Sequence, residues 1–131
     1  MPVEIEVDYP IPGDIIGSTF TVLVSYTLTS TFRKEVKAAA SSVAPGTITV
    51  TILRSNGLAY GTGGAGSDTM VTNPQTSTVA TEGSGQRTFT FQYNGLSCSG
   101  CKIDARLTPH TGTPATDLVE GINIDSSGGA L

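Results

Sequence analysis

Two cysteines in the stretch Cys98-Ser99-Gly100-Cys101 are the side chains best spaced to do chemistry together. A redox pair of this spacing works when its first thiol sits at a helix N-terminus, where the dipole lowers the thiol pKa. Here the residues that follow alternate: Ile103, Ala105 and Leu107 take one side, Lys102, Asp104 and Arg106 the other. That pattern predicts a strand, with Lys102 the only adjacent cation. Redox catalysis therefore lacks its usual setting. A structural zinc site needs four ligands. Cys98, Cys101 and His110 supply three, and His110 lies past Pro109, at the far end of a strand about 26 Å long. Two readings remain open: a small disulfide closing a loop between two strands, or two free thiols. A disulfide would add little chain entropy over so short a loop, would rigidify its tip, and would imply an oxidising setting.

The other candidate residues point away from catalysis. His110 is the sole histidine and sits in a turn-rich stretch, which predicts a solvated loop residue and not a general base. Carboxylates that could be paired are Asp8, Asp14, Glu120 and Asp125; Glu4 and Glu6 read as solvated, outward strand residues. A calcium site could draw on Asp14, Asp68, Asp117 or Asp125, but no EF-hand spacing is present. The cluster Gly61-Thr62-Gly63-Gly64 lacks the Lys and the helix of a phosphate loop, so it predicts an exposed loop. Sugar-binding faces use aromatic platforms. There is no Trp, and of the tyrosines Tyr9 and Tyr60 are expected to be exposed, Tyr26 and Tyr93 to lie on core faces. No catalytic, cofactor-binding or metal-binding residue is expected, and no cofactor.

The elements that must position these residues are strands. Residues 3–9 alternate apolar and acidic, residues 18–29 place Phe20, Val22, Val24, Tyr26 and Leu28 on one face, and residues 47–54 place Ile48, Val50 and Ile52 on one face. Residues 69–72 and 77–80 read as weak strands, residues 86–93 alternate with Phe89, Phe91 and Tyr93 on one face, and residues 119–125 end the series with Ile122 and Ile124 inward. Pro10, Pro12-Gly13, Pro45-Gly46, Asn73-Pro74 and Glu82-Gly83-Ser84-Gly85 punctuate them. The segment 14–17 reads as a crossing from one sheet to the other. Residues 32–42 form the one helix-compatible window, predicting a short helical segment near 33–41. This spacing predicts an all-β, antiparallel β-sandwich of about seven or eight strands. The domain is expected over residues 1–125, with a small Gly-rich tail at 126–131.

Composition limits the partners. The chain has 131 residues, 14% charged, with a net charge of −4. Its one basic cluster, Arg33, Lys34 and Lys37, is interrupted by Glu35, which argues against nucleic acid. No apolar run approaches the roughly 20 residues of a membrane helix, so no membrane insertion is expected. Met1 and Pro2 lead directly into a strand without the basic and apolar regions of a signal peptide. The expectation is a chain that begins at its own start, or a secreted domain trimmed of its leader.

The stretches PIPGDIIGSTFTVLVSYTLT, TITVTIL, GSGQRTFTFQ, KIDARLTP and GINID occur in an order that resembles bacterial immunoglobulin-like domains. The resemblance runs over most of residues 3–125 and rests on core patterning; the Cys98–Cys101 segment and residues 32–42 depart from it. It implies an Ig-like (E-set) fold and roles such as spacer, adhesion module, carbohydrate-binding accessory or virion surface decoration. The function expected is a non-catalytic subunit that docks on or builds a repetitive assembly, a capsid-associated protein or an extracellular fibre. The alternative is an adhesion or carbohydrate-binding module of a larger secreted protein. Its partners would be a protein lattice or further copies of itself, with carbohydrate as the other candidate, and its place a virion surface or the cell exterior. Assembly contacts are expected at Gly128, Gly129 and Leu131 in the tail and at Tyr60 and Gly63 in the glycine-rich loop.

Overall fold

The computed structural model describes residues 3–28, 46–62, 69–95, 98–110 and 113–125. These residues are all-β, and among them there is no helix. The helical segment expected near 33–41, Gly63 and the tail at 126–131 lie outside the described residues.

Among the described residues ten strands follow in chain order: β1 (Val3–Tyr9), β2 (Ile15–Gly17), β3 (Thr19–Leu28), β4 (Gly46–Leu53), β5 (Gly61–Thr62), β6 (Thr69–Met70), β7 (Gln75–Val79), β8 (Gly83–Asn94), β9 (Cys98–Pro109) and β10 (Ala115–Asp125). They form two five-stranded sheets, ordered β1-β3-β8-β6-β5 and β2-β10-β9-β4-β7. The strand count exceeds the seven or eight expected; the strand not foreseen is β5, two residues in a stretch read as a glycine-rich loop. The sheets are also mixed, correcting the antiparallel expectation. β2 runs parallel to β10, and β5 parallel to β6. The crossing expected at 14–17 is real: β2 leaves the sheet of β1 and β3 and joins that of β10.

Period-two alternation builds the core. In β4 every second residue is buried, from Gly46 through Ile48 and Val50 to Ile52, while the intervening threonines are half-exposed. β3 contributes Phe20, Val22, Val24 and Leu28, β8 Phe89, Phe91 and Tyr93, β9 Ile103, Ala105 and Leu107, and β10 Ile122 and Ile124. Phe20 stacks on its cross-strand partner Phe91 with ring centroids 5.7 Å apart. Each fully buried aliphatic or aromatic side chain contributes about 1.5–3 kcal/mol. No polar residue is buried among those described.

Side chains, not ladders, join the two sheets along their open sides. On one side the Val7 N–H donates to Asp117 Oδ2 at 2.8 Å, linking β1 to the part of β10 that β2 does not reach. On the other, Gln75 Nε2 donates to the Thr90 carbonyl at 2.6 Å, and Arg87 donates to Ser77 Oγ and to the Thr78 carbonyl. Three polar side chains thus occupy backbone groups that strand pairing leaves over.

Candidate functional site

The cysteine pair was expected in a loop; the structure places it at the start of β9. The local backbone explains how. Cys98 pairs with Ile124 and Cys101 with Ile122, so three steps along β9 oppose two along β10. The extra residue is a β-bulge, and Gly100 carries it at a φ of 76°. The compensating irregularity lies between Val119 and Ile122, where Gly121 has a φ of 78°. The two bulges sit on facing strands and the second restores the register that the first shifts.

The bulge decides where the thiols point. In a regular strand, residues three apart face opposite sides. Here Cys101 is fully buried and Cys98, half-buried, also packs against the core. The two thiols are near enough for Cys98 to act on the Cys101 thiol. Tyr60 Oη donates to Cys98 Sγ at 3.0 Å, and Cys101 Sγ donates to the Ile122 carbonyl at 3.1 Å. Both cysteines are free thiols in this structure. Burial, and then the neighbouring Cys98 thiol, push the Cys101 thiol above its ordinary range. Burial, and then Cys98, push the Tyr60 phenol up as well.

Tyr60 corrects the sequence expectation: it is buried, at 5% exposure, and offers no exposed platform. Its backbone is drawn inward by Tyr60 N–H donating to the Ile52 carbonyl and by Asn73 Nδ2 donating to the Tyr60 carbonyl. Its ring meets Tyr93 edge-on at 5.3 Å, and the Arg54 guanidinium lies 4.5 Å over it. Tyr9 is exposed and Tyr93 buried, as expected; Tyr26 is half-buried. Together Arg54, Ser55, Asn56, Tyr60, Tyr93, Cys98 and Ser99 line a pocket of about 260 Å³ that opens onto Cys98.

The remaining candidates lie apart. His110 is exposed at the far end of β9. Asp14 accepts from the Ile11 N–H and Asp117 from the Val7 N–H, each serving its own turn or seam. Asp8 accepts from Ser25, and Glu120 meets Lys102 at 3.4 Å. Among the described residues no group of three or more His, Cys, Asp or Glu side chains could hold a metal ion. Asp68 lies outside the described residues.

Two surface features go beyond what the sequence showed. The turn between β1 and β2 exposes Tyr9, Ile11 and Ile15 at 44, 53 and 63%. It is held by Gly13 N–H donating to the Gly121 carbonyl and Asn123 N–H donating to the Asp14 carbonyl. An open groove of about 800 Å³ crosses β1, β3 and β8, with Glu4, Glu6, Ser25, Thr27, Ser84 and Gln86 among its lining. Sequence reasoning missed Tyr60 and Arg54 as neighbours of the thiols. The glycine inside the cysteine motif was the available signal, since a bulge there brings both thiols to one face.

Compared with protein-family models and with curated proteins, the chain matches none.

Proposed function

We propose that this chain is a non-catalytic structural protein, an Ig-like β-sandwich subunit that docks on or builds a repetitive assembly at a virion or cell surface. The observation that carries this reading is the turn between β1 and β2. Three large apolar side chains, Tyr9, Ile11 and Ile15, are exposed on a turn whose backbone is tied to β10 by hydrogen bonds. Clustered apolar exposure on a braced element marks a contact surface. The occupant proposed is a second copy of the chain. The test is the molar mass of the full chain by light scattering on a sizing column, beside an Ile11→Asp/Ile15→Asp variant. A defined oligomer that the double variant reduces to monomer, with an unchanged far-UV circular dichroism spectrum, supports the reading. A wild-type chain that stays monomeric at every concentration, or an oligomer that the variant leaves intact, overturns association through this turn.

The alternative, an adhesion or carbohydrate-binding accessory module, is favoured by the groove across β1, β3 and β8. Its hydroxyl, amide and carboxylate groups suit the polar edge of a sugar. Binding of neutral oligosaccharides by the wild type, weakened in Gln86→Ala, would favour that reading over the first.

A further inference from the structure

Three features of the cysteine site act in one direction. The Gly100 bulge brings Cys98 and Cys101 to one face of β9, both packed toward the core. Cys98 opens onto a pocket rimmed by Arg54 and Ser99, whereas Cys101 is sealed beneath it. The ring a bond between them would close spans four residues, so it constrains the unfolded chain very little. A pair of this kind is poorly suited as a structural staple. Its parts are an accessible thiol, a shielded thiol in reach of it, and a route in for a small oxidant.

We propose that Cys98 and Cys101 are a reversible thiol–disulfide pair that exchanges with a low-molecular-weight disulfide such as oxidised glutathione, Cys98 reacting first and Cys101 resolving. In the first step the Cys98 thiolate attacks one sulfur of the small disulfide. A protein–glutathione mixed disulfide forms, and one glutathione leaves as thiolate and takes up a proton. In the second step Cys101 loses its proton to solvent and its sulfur attacks Cys98 Sγ, expelling the second glutathione. Two thiols of the protein become one disulfide, and two electrons pass to the small disulfide, which leaves as two glutathione thiols. The Arg54 cation at the pocket rim favours an anionic oxidant. Burial of Cys101 makes the resolving step the slower one near neutral pH, because only the thiolate attacks. Oxidation removes the Cys101 donor from the Ile122 carbonyl and changes the sulfur that the Tyr60 hydroxyl touches. The state of the pair is thereby transmitted to the Tyr60–Tyr93 contact and the pocket wall.

The test uses the full reduced chain, incubated with graded mixtures of reduced and oxidised glutathione, quenched with an alkylating reagent and weighed intact. The wild type should convert to a species lighter by two hydrogens, with a transient glutathione adduct, and return on excess reduced glutathione. Cys101→Ser should keep the adduct, mapped to Cys98; Cys98→Ser should react at least tenfold more slowly. Should either variant fail to fold, brief alkylation of the native wild type followed by peptide mapping gives the same order, with Cys98 labelled first. A stable adduct on the wild type, equal labelling of both cysteines, or no reaction with the oxidant overturns the proposal.

Discussion

Tyr26 lies directly across from Gly85 in the ladder between β3 and β8, and the pair makes a prediction whose sign can be reversed. A Cβ built on Gly85 would fall 2.8 Å from Tyr26 Oη, 3.1 Å from Cζ and 3.2 Å from Cε2. The phenol therefore occupies the space that any side chain at 85 would need. It is held there by Arg87, whose Nη1 donates to the Tyr26 hydroxyl at 3.1 Å and whose guanidinium carbon lies 5.1 Å from the ring centroid. Gly85→Ala must push the ring aside by roughly half an ångström or more to reach ordinary contact, loosening both interactions. Overpacking of this kind costs about 1–3 kcal/mol, and the lost cation–π contact at a half-exposed site is worth about 0.5–1 kcal/mol of it. A net destabilisation of about 1–2 kcal/mol is expected. In a Tyr26→Ala background nothing is left to collide with. Gly85 has no positive φ, so the same substitution should then stabilise by about 0.5 kcal/mol through the entropy of the unfolded chain. Urea unfolding of the four proteins in this double-mutant cycle should give a coupling of about 2 kcal/mol. A Gly85→Ala effect of the same sign and size in both backgrounds would refute the reasoning, because it would show that the ring and the missing Cβ do not compete.

Other expectations rest on single residues. Asp117→Ala should cost about 1–3 kcal/mol in urea unfolding, because it strands the Val7 N–H in a part-buried seam. Asn73→Ala should cost about 2–3 kcal/mol and raise hydrogen exchange near Ile52 and Tyr60, since its amide serves the Ile52 N–H and the Ile52 and Tyr60 carbonyls. Gly100→Ala has room for its methyl, with only Ser55 Cβ near at 3.9 Å. Its cost should therefore be the backbone term alone, about 1–2 kcal/mol, read from the same unfolding curves. Stability should fall as pH rises above about 9: the thiol freed on unfolding ionises near 9.0 while folded Cys101 holds its proton. The unfolded chain then binds fewer protons, for a slope of up to about 1.4 kcal/mol per pH unit. Cys101→Ala should flatten that slope between pH 8 and 10, and a slope unchanged by the substitution would place the loss elsewhere.

The residues that alternated strongly were legible. Ile48, Val50 and Ile52, or Phe89 and Phe91, announce both a strand and its buried face, because period two has no other packed solution over so many residues. The shortest strand was not legible: Gly61–Thr62, read as part of an exposed loop, pairs with Thr69–Met70, a strand the sequence showed only weakly at 69–72. Tyr60 was misread for the same reason. It opens a glycine-rich stretch, and what packs against it is Asn73, Tyr93 and Cys98, none of them local. The cysteine motif was half legible. Its spacing was visible, but a spacing of three reads as opposite faces until the left-handed Gly100 is known. Asp117 gave no signal, since nothing in a polar connecting segment tells which carboxylate will meet an unpaired amide on β1.

The way the sheets end bears on where a second copy could attach. An unprotected edge strand invites another chain to extend the sheet. On β1 that route is opposed. Glu4 and Glu6 are exposed on alternate residues, so a second β1 laid antiparallel alongside would set acidic residues against acidic residues, which is destabilising for facing pairs. The Val7 N–H, one of the groups such a strand would need, is already taken by Asp117. On β7 the Thr78 carbonyl accepts from Arg87. The outer strands that remain, β2 and β5, are three and two residues long. Strand addition thus has little edge to use, and the braced apolar turn carrying Tyr9, Ile11 and Ile15 is the better candidate for contact. A repetitive assembly built on this chain should accordingly be sensitive to charge at Ile11 and Ile15. It should be indifferent to lysine at Thr76, an exposed position of β7, and assembly lost on Thr76→Lys alone would return the argument to the sheet edges.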